Sequence, residues 1–379
     1  MTIMQNTRST IYIDHLRHNI DAIRTFIPAT TEICLAVKAN AYGHGAPETT
    51  KAAEKAGIRW FGVANTDEGI ELREAGITSR IILFSLALPA DIPRFIKHNI
   101  TPVVADRGFL PLLERHLPLN TPSALPYPVH LIIDTGMGRI GCPPEEARSL
   151  AEAIVSSPKL NLEGTCTHFA QADAADLSFS REQLKVFLNC IAELRKRGID
   201  PGILHAANSG AIIGLPASHL DMVRPGIMAY GYYPSKEQER KVPLKPVMEF
   251  ASNVVFIKEV GPNSPISYGS TFRTKQATRI ATVAAGYGDG YFRKLSNRGK
   301  VCIRGKLYPV AGRVTMDQIM VDIGQDSDVR LYDPAVLFGP DPEALSAEDI
   351  ADLCETIPYE VTCAISKRVL REYKEHGND

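Results

Sequence analysis

The sequence predicts an α/β fold: an N-terminal (β/α)8 TIM barrel followed by a C-terminal, mostly antiparallel β domain. Three observations carry this. Up to about residue 240, eight short apolar segments alternate with amphipathic stretches. Most of those segments are apolar on both faces, as strands buried in a parallel sheet are. From Lys241 onward the alternation gives way to β-type runs broken by Gly, Pro and Asn. A doubly wound open sheet shows the same alternation, and strand order is not written in it.

The expected barrel strands are residues 33–37, 60–63, 81–84, 102–104, 129–133, 162–167, 204–205 and 222–223. Between them, 16–26, 47–56, 144–155 and 181–196 repeat apolar residues at helical spacing. Further on, 254–260, 279–284, 301–303, 308–310 and 319–323 read as strands, and 347–354 as the first long helical pattern of that half. The charged, proline-rich stretch 233–246 marks the divide, giving units of 1–240 and 241–379.

Composition narrows the function. The net charge of -1 offers no basic surplus for nucleic acid or an anionic membrane. Residues 1–10 lack a charged-then-apolar leader pattern, and the most apolar stretch, 81–88, is too short to span a bilayer. Seven cysteines, with the closest pair nine positions apart, form no zinc, redox or disulfide framework. Reduced thiols in a cytoplasm, and no metal, are the expectation. No P-loop, zinc-protease or nucleophile-elbow pattern occurs.

The chemistry-bearing segments sit at strand ends. Ala36-Val37-Lys38-Ala39-Asn40-Ala41-Tyr42-Gly43-His44-Gly45 ends the first barrel strand, on the side where barrels carry their sites. A lysine desolvated there loses its proton and forms a Schiff base; a lysine merely leaving the mouth for solvent is the plainer alternative. His205-Ala206-Ala207-Asn208-Ser209 follows the seventh strand and Arg224-Pro225-Gly226-Ile227 the eighth, the loops in which barrels often hold a phosphate. Ser209 offers a hydroxyl, and Gly226 lets a backbone approach closely. Asn208-Ser209 also reads as an ordinary helix cap, and Arg224 as a surface arginine before a turn. Cys166-Thr167-His168-Phe169 ends the sixth strand. The glycines of Gly286-Tyr287-Gly288-Asp289-Gly290-Tyr291 do not have dinucleotide-binding spacing.

From Ile11 to about Tyr373 these segments, with Ile266-Ser267-Tyr268-Gly269-Ser270-Thr271-Phe272 and Gly312-Arg313-Val314-Thr315-Met316-Asp317-Gln318, resemble the alanine racemase family. The resemblance implies a pyridoxal 5'-phosphate enzyme that interconverts L- and D-alanine, for peptidoglycan synthesis or alanine catabolism. It implies Lys38 as cofactor lysine and one base, and Tyr268 as the base on the opposite face of the substrate. Tyr42, Asn208, Ser209, Gly226 and Ile227 would hold the cofactor, chiefly its phosphate. Arg224 would donate to the ring nitrogen, because arginine keeps its proton, and His168 would support Arg224. A ring so held is a weak electron sink, which suits racemisation and discourages transamination. Met316, Asp317, Tyr287 and Tyr359 would line the substrate's path, with Arg293, Arg313 and Asp173 further out. Tyr268 would reach the site across a homodimer interface, with His168 and Arg224 supplying a positive field to lower its pKa.

Two features qualify the resemblance. Arg139, in Asp134-Thr135-Gly136-Met137-Gly138-Arg139, would touch the cofactor's ring hydroxyl and the substrate carboxylate. Many family members pair that arginine with a carbamylated lysine where this chain has Ile132, which bears no charge. An uncompensated buried Arg139 would be costly, so water, a bound anion such as chloride or a nearby carboxylate is expected to take over; Asp134 lies in the motif but is not assigned, since adjacent strand residues face opposite ways. Substrate breadth also stays open: a serine or other small amino-acid racemase is an alternative, since pockets discriminate a methylene or hydroxyl by only roughly 1–3 kcal/mol. A decarboxylase of the same architecture would need a carboxylate where Arg224 stands, and a non-catalytic cofactor carrier would not need Tyr268 and Met316.

Overall fold

In the computed structural model, which describes residues 7–117 and 126–375, eight parallel strands close into a barrel. A first strand, β1 (Arg8–Tyr12), precedes them. The barrel strands are β2 (Glu32–Ala36), β3 (Trp60–Val63), β4 (Arg80–Leu83), β5 (Thr101–Val104), β6 (Tyr127–Ile132), β7 (Leu160–Cys166), β8 (Ile203–His205) and β9 (Met222–Val223). They are the eight expected segments, displaced at their ends by two residues at most. Order around the barrel follows the chain, and β9 closes on β2 through Glu32↔Met222 and Ile33↔Val223. The open-sheet alternative is thereby excluded.

Burial explains the closure. Every residue of β3 and β5 is buried, because helices cover the outside while side chains fill the inside. Cys34, Trp60, Ile82, Val103, Ile132, Cys166 and Met222 pack against one another as an apolar cluster. The helix Ile13–Phe26 turns Ile13, Leu16, Ile20 and Ile23 inward, one face of a 3.6-residue repeat. Asn19 on that face is buried too, and is satisfied: its amide donates to Ala229 O and Lys245 O and its oxygen accepts from Lys245 N. That clamp fastens the first helix to the segment leaving the barrel.

The second sheet contains β10 (Met248–Val260), β13 (Thr278–Val283), β14 (Lys300–Ile303), β15 (Lys306–Pro309), β16 (Ile319–Gly324), β17 (Pro334–Phe338) and β18 (Leu370–Lys374); β11 (Pro265–Ile266) and β12 (Phe272–Arg273) form a separate hairpin. Its pairs are antiparallel except β1 with β18. Here one expectation is corrected. Residues 1–240 were assigned to the barrel, yet β1 lies between β10 and β18 in the second sheet. Its buried positions include Ser9 and Thr10, so hydropathy does not reveal it. Residues 1–6, part of the segment read for a leader, lie outside the described residues. Among the described residues no helix is long and apolar enough to cross a membrane.

Candidate active site

The strand ends Ala36, Ile132, Cys166, His205 and Val223 all open on one end of the barrel, and the loops that follow them enclose a cavity of about 400 Å³. Lys38 stands at its mouth on an unusual turn. Ala39, Asn40, Ala41 and Tyr42 are all left-handed, with φ of 51°, 55°, 53° and 52°. For residues with a Cβ this conformation costs about 1–2 kcal/mol each, so the turn must be held from outside. Ala39 N donates to Glu68 Oε1 (2.8 Å), whose other oxygen accepts from Ala64 N (2.7 Å). Asn40 Oδ1 accepts from Ala46 N (2.8 Å), and Arg371 Nε donates to Gly43 O (3.1 Å). Gly43, at φ 84°, lies so close to Thr362 O that a Cβ would come within 2.0 Å of it. Burial, and then Arg139, hold the Lys38 amine below lysine's ordinary range.

Opposite the lysine, Ser209 Oγ accepts from Gly226 N (2.9 Å), and Tyr42 Oη lies where a Cβ on Gly226 would reach it at 2.5 Å. Hydroxyls and a backbone amide thus converge on one small cradle, the donor set a phosphate requires. Asn208 lines the cavity and also caps the helix Ser209–Gly214, accepting from Ala211 N (3.0 Å). Arg224 lies across the cavity floor, buried, with Nη2 donating toward His168 Nδ1 at 3.3 Å. An amine, a phosphate cradle and a fixed guanidinium in one cavity fit pyridoxal phosphate, and Lys38, Tyr42, Ser209, Gly226 and Arg224 are the residues that would hold it.

The cavity is lined by Lys38, Tyr42, Arg139, His168, Asn208, Ser209, Arg224, Gly226 and Tyr359. Ile227, next to Gly226, is fully buried and does not line it. Tyr268, Met316, Asp317 and Tyr287 do not line it either; Tyr268 is 72% exposed and Met316 53%. Two electrostatic expectations change. His168 is held well below its ordinary pKa by burial and then by Arg224, so it is neutral and supplies no positive field. Arg139 is exposed, and among the described residues no carboxylate forms an ion pair with it. Asp134 cannot serve it: its Oδ1 accepts from Gly136 N (2.9 Å) and Met137 N (2.9 Å), shaping the loop that carries the arginine. Ile132 packs inward with the apolar barrel cluster.

Three residues escaped the sequence reading. Glu68 clamps the lysine turn. His205 accepts from Arg224 Nη1 at 2.7 Å through Nδ1. Arg368 binds Asp289 (2.7 Å), Asp317 (2.9 Å) and Met316 O (3.2 Å), fixing the turn that presents Met316. Glu68 and Arg368 act on backbone far away in sequence, which leaves no local signal; His205 stood in a quoted motif without a role.

Comparison with known proteins places the whole chain in one family. The family described as alanine racemase, N-terminal domain, matches residues 11–234, and the alanine racemase C-terminal domain matches 247–373. The chain is 44% identical to an alanine racemase of Treponema denticola over 97% of this chain and 98% of that one. It is 41% identical to that of Halothermothrix orenii over 98% of each. Among solved structures it resembles an alanine racemase of Clostridium difficile 630 with a TM-score of 0.92 and 37% identity, covering 100% of this chain and 98% of that one.

Proposed function

The chain belongs to the alanine racemase family, and on that premise we propose how its own residues divide the reaction. It is an isomerase that interconverts the alanine enantiomers with pyridoxal phosphate as cofactor. When bound, the cofactor supplies the electron sink that makes the substrate Cα–H acidic. Two bases then move the proton, one on each face of Cα: Lys38 Nζ and Tyr268 Oη. The observation that carries this reading is the Lys38 turn, where strain, desolvation and Arg139 together favour an amine able to accept a proton. Arg139 orients the substrate carboxylate, with Met316 N–H and Asp317 at its outer side. Tyr359, whose ring centroid lies 5.9 Å from that of Tyr42, roofs the phosphate cradle.

The barrel, up to about residue 240 and without β1, forms the cofactor-binding unit, and residues 241–379, joined by β1, form the unit that supplies Tyr268. Exposure of Tyr268, Tyr287 and Met316 outside the cavity supports a homodimer in which each chain lends these residues to the other's site. All seven cysteines are unpaired, and Cys363 is exposed, in keeping with the reducing cytoplasm. Proton exchange tests the division of labour. In D2O, Tyr268→Phe should lose α-deuterium incorporation from one alanine enantiomer by roughly 100-fold or more, while exchange from the other persists. Equal loss from both, or none from either, would remove Tyr268 from the proton path.

A further inference from the structure

The barrel interior is not filled by apolar side chains alone. Arg224 is 7% exposed, and its guanidinium donates to Thr167 O (2.7 Å), His205 O (2.8 Å) and Ala206 O (3.0 Å). Among the described residues no carboxylate pairs with it directly. A buried cation without an anion is costly, which directs attention to its remaining strong contact, Nη1 to His205 Nδ1 at 2.7 Å.

That contact fixes a direction. Arginine has only donors, so His205 Nδ1 is bare and neutral His205 carries its hydrogen on Nε2. Nε2 lies 2.8 Å from His130 Nδ1, which must then accept, leaving the hydrogen of His130 on Nε2. Nε2 of His130 faces Glu163 Oε2 at 3.4 Å, and Glu163 is paired with Arg80. The chain runs from cation to carboxylate through two imidazoles and cannot reverse, because Arg224 has no lone pair to offer. Both rings are kept neutral: burial first, then Arg224, pushes His130 down to about 3 and His205 well below its ordinary range.

The surroundings are built around this chain. His130 and Gly164 are paired across β6 and β7, and a Cβ on Gly164 would come within 2.7 Å of the His130 ring. Trp60 meets His130 edge-on, with ring centroids 6.0 Å apart, and the Arg80 guanidinium lies over the Trp60 ring at 4.9 Å. Glu163 reaches the chain from the outer stretch of β7, four residues and more before the cavity-lining Thr167 and His168.

We propose that Glu163 is a positioning residue for the reaction: it terminates a one-way chain through His130 and His205 that aims the Arg224 guanidinium into the cavity and supplies that cation's carboxylate. Removing Glu163 strands the His130 donor and weakens the polarisation of His205, so Arg224 loses its alignment without losing its charge. The proposal rests on the reading of Arg224 as the partner of the cofactor's ring nitrogen.

The test is histidine-15N NMR of the holoenzyme together with its cofactor absorbance and steady-state kinetics. The unmodified enzyme should show His205 and His130 neutral with hydrogen on Nε2. In Glu163→Leu the bare His205 Nδ1 resonance, two rings from the substitution, should shift, and kcat should fall roughly tenfold with KM little changed. Glu163→Gln keeps an acceptor of the same shape and should shift the same resonance less, with a smaller loss of kcat; it serves also where the leucine variant fails to fold. Unchanged His205 resonances and kcat in either folded variant would overturn the proposal. The Arg224 reading has its own control: Arg224→Lys should move the cofactor absorbance band. A band that ignores Arg224→Lys sinks that reading, whereas a band that responds, with His205 indifferent to Glu163, sinks the proposal alone.

Discussion

At the scale of single residues, environment decides what each side chain does. Lys38 is an ordinary lysine made less basic by burial and by Arg139; Arg224 is an ordinary arginine whose burial restricts it to carbonyls and imidazoles. Lys38, Ser209 and Arg224 were legible in the sequence because strand ends in a barrel share one face and because their motifs are contiguous. The state of Arg139 was not. Its neighbours were expected to compensate a buried charge, but the loop held by Asp134 leaves Arg139 exposed. Ile132 offers no amine beside it. Racemase activity should therefore be indifferent to removal of carbon dioxide. A loss on degassing that bicarbonate reverses would mean that a carbamate forms on some other amine and would contradict this account.

Among the elements, the strands carried the clearest signal and the turns the weakest. Continuous apolar runs such as Trp60–Val63 announce buried strands, whereas β1, with buried Ser9 and Thr10, and β18, with mixed polarity and much exposure, draw their stability from partners distant in sequence. Four left-handed residues after Lys38 have no sequence signature, since only Gly advertises that conformation. Their strain makes Glu68 consequential. Glu68→Ala removes the acceptor for Ala39 N and Ala64 N together. It should destabilise the protein by about 1–3 kcal/mol and also lower cofactor affinity, because the turn that carries Lys38 relaxes. Denaturant unfolding with a parallel cofactor titration checks both; a stability loss with unchanged affinity would show that the clamp serves the fold and not the site.

For the whole molecule, the question is how two halves make one site. The barrel brings Lys38, Tyr42, Arg139, Ser209 and Arg224 to a single cavity, which Tyr359 of the second unit also lines, while Tyr268, Tyr287 and Met316 stand exposed outside it. Arg368, gripping Asp289, Asp317 and Met316 O, holds the turn that presents Met316 in a fixed shape. The family's motifs made both halves readable from sequence, and the resemblance also implied that Tyr268 serves the site from another chain; local pattern alone carries no such signal, because it depends on domain placement. Subunit complementation tests the shared site most directly. Lys38→Ala and Tyr268→Phe proteins should each be inactive. After confirmed subunit exchange, the mixed dimers should contain one site with both bases intact, restoring about one quarter of wild-type activity for random pairing. Confirmed exchange with no return of activity would contradict the account.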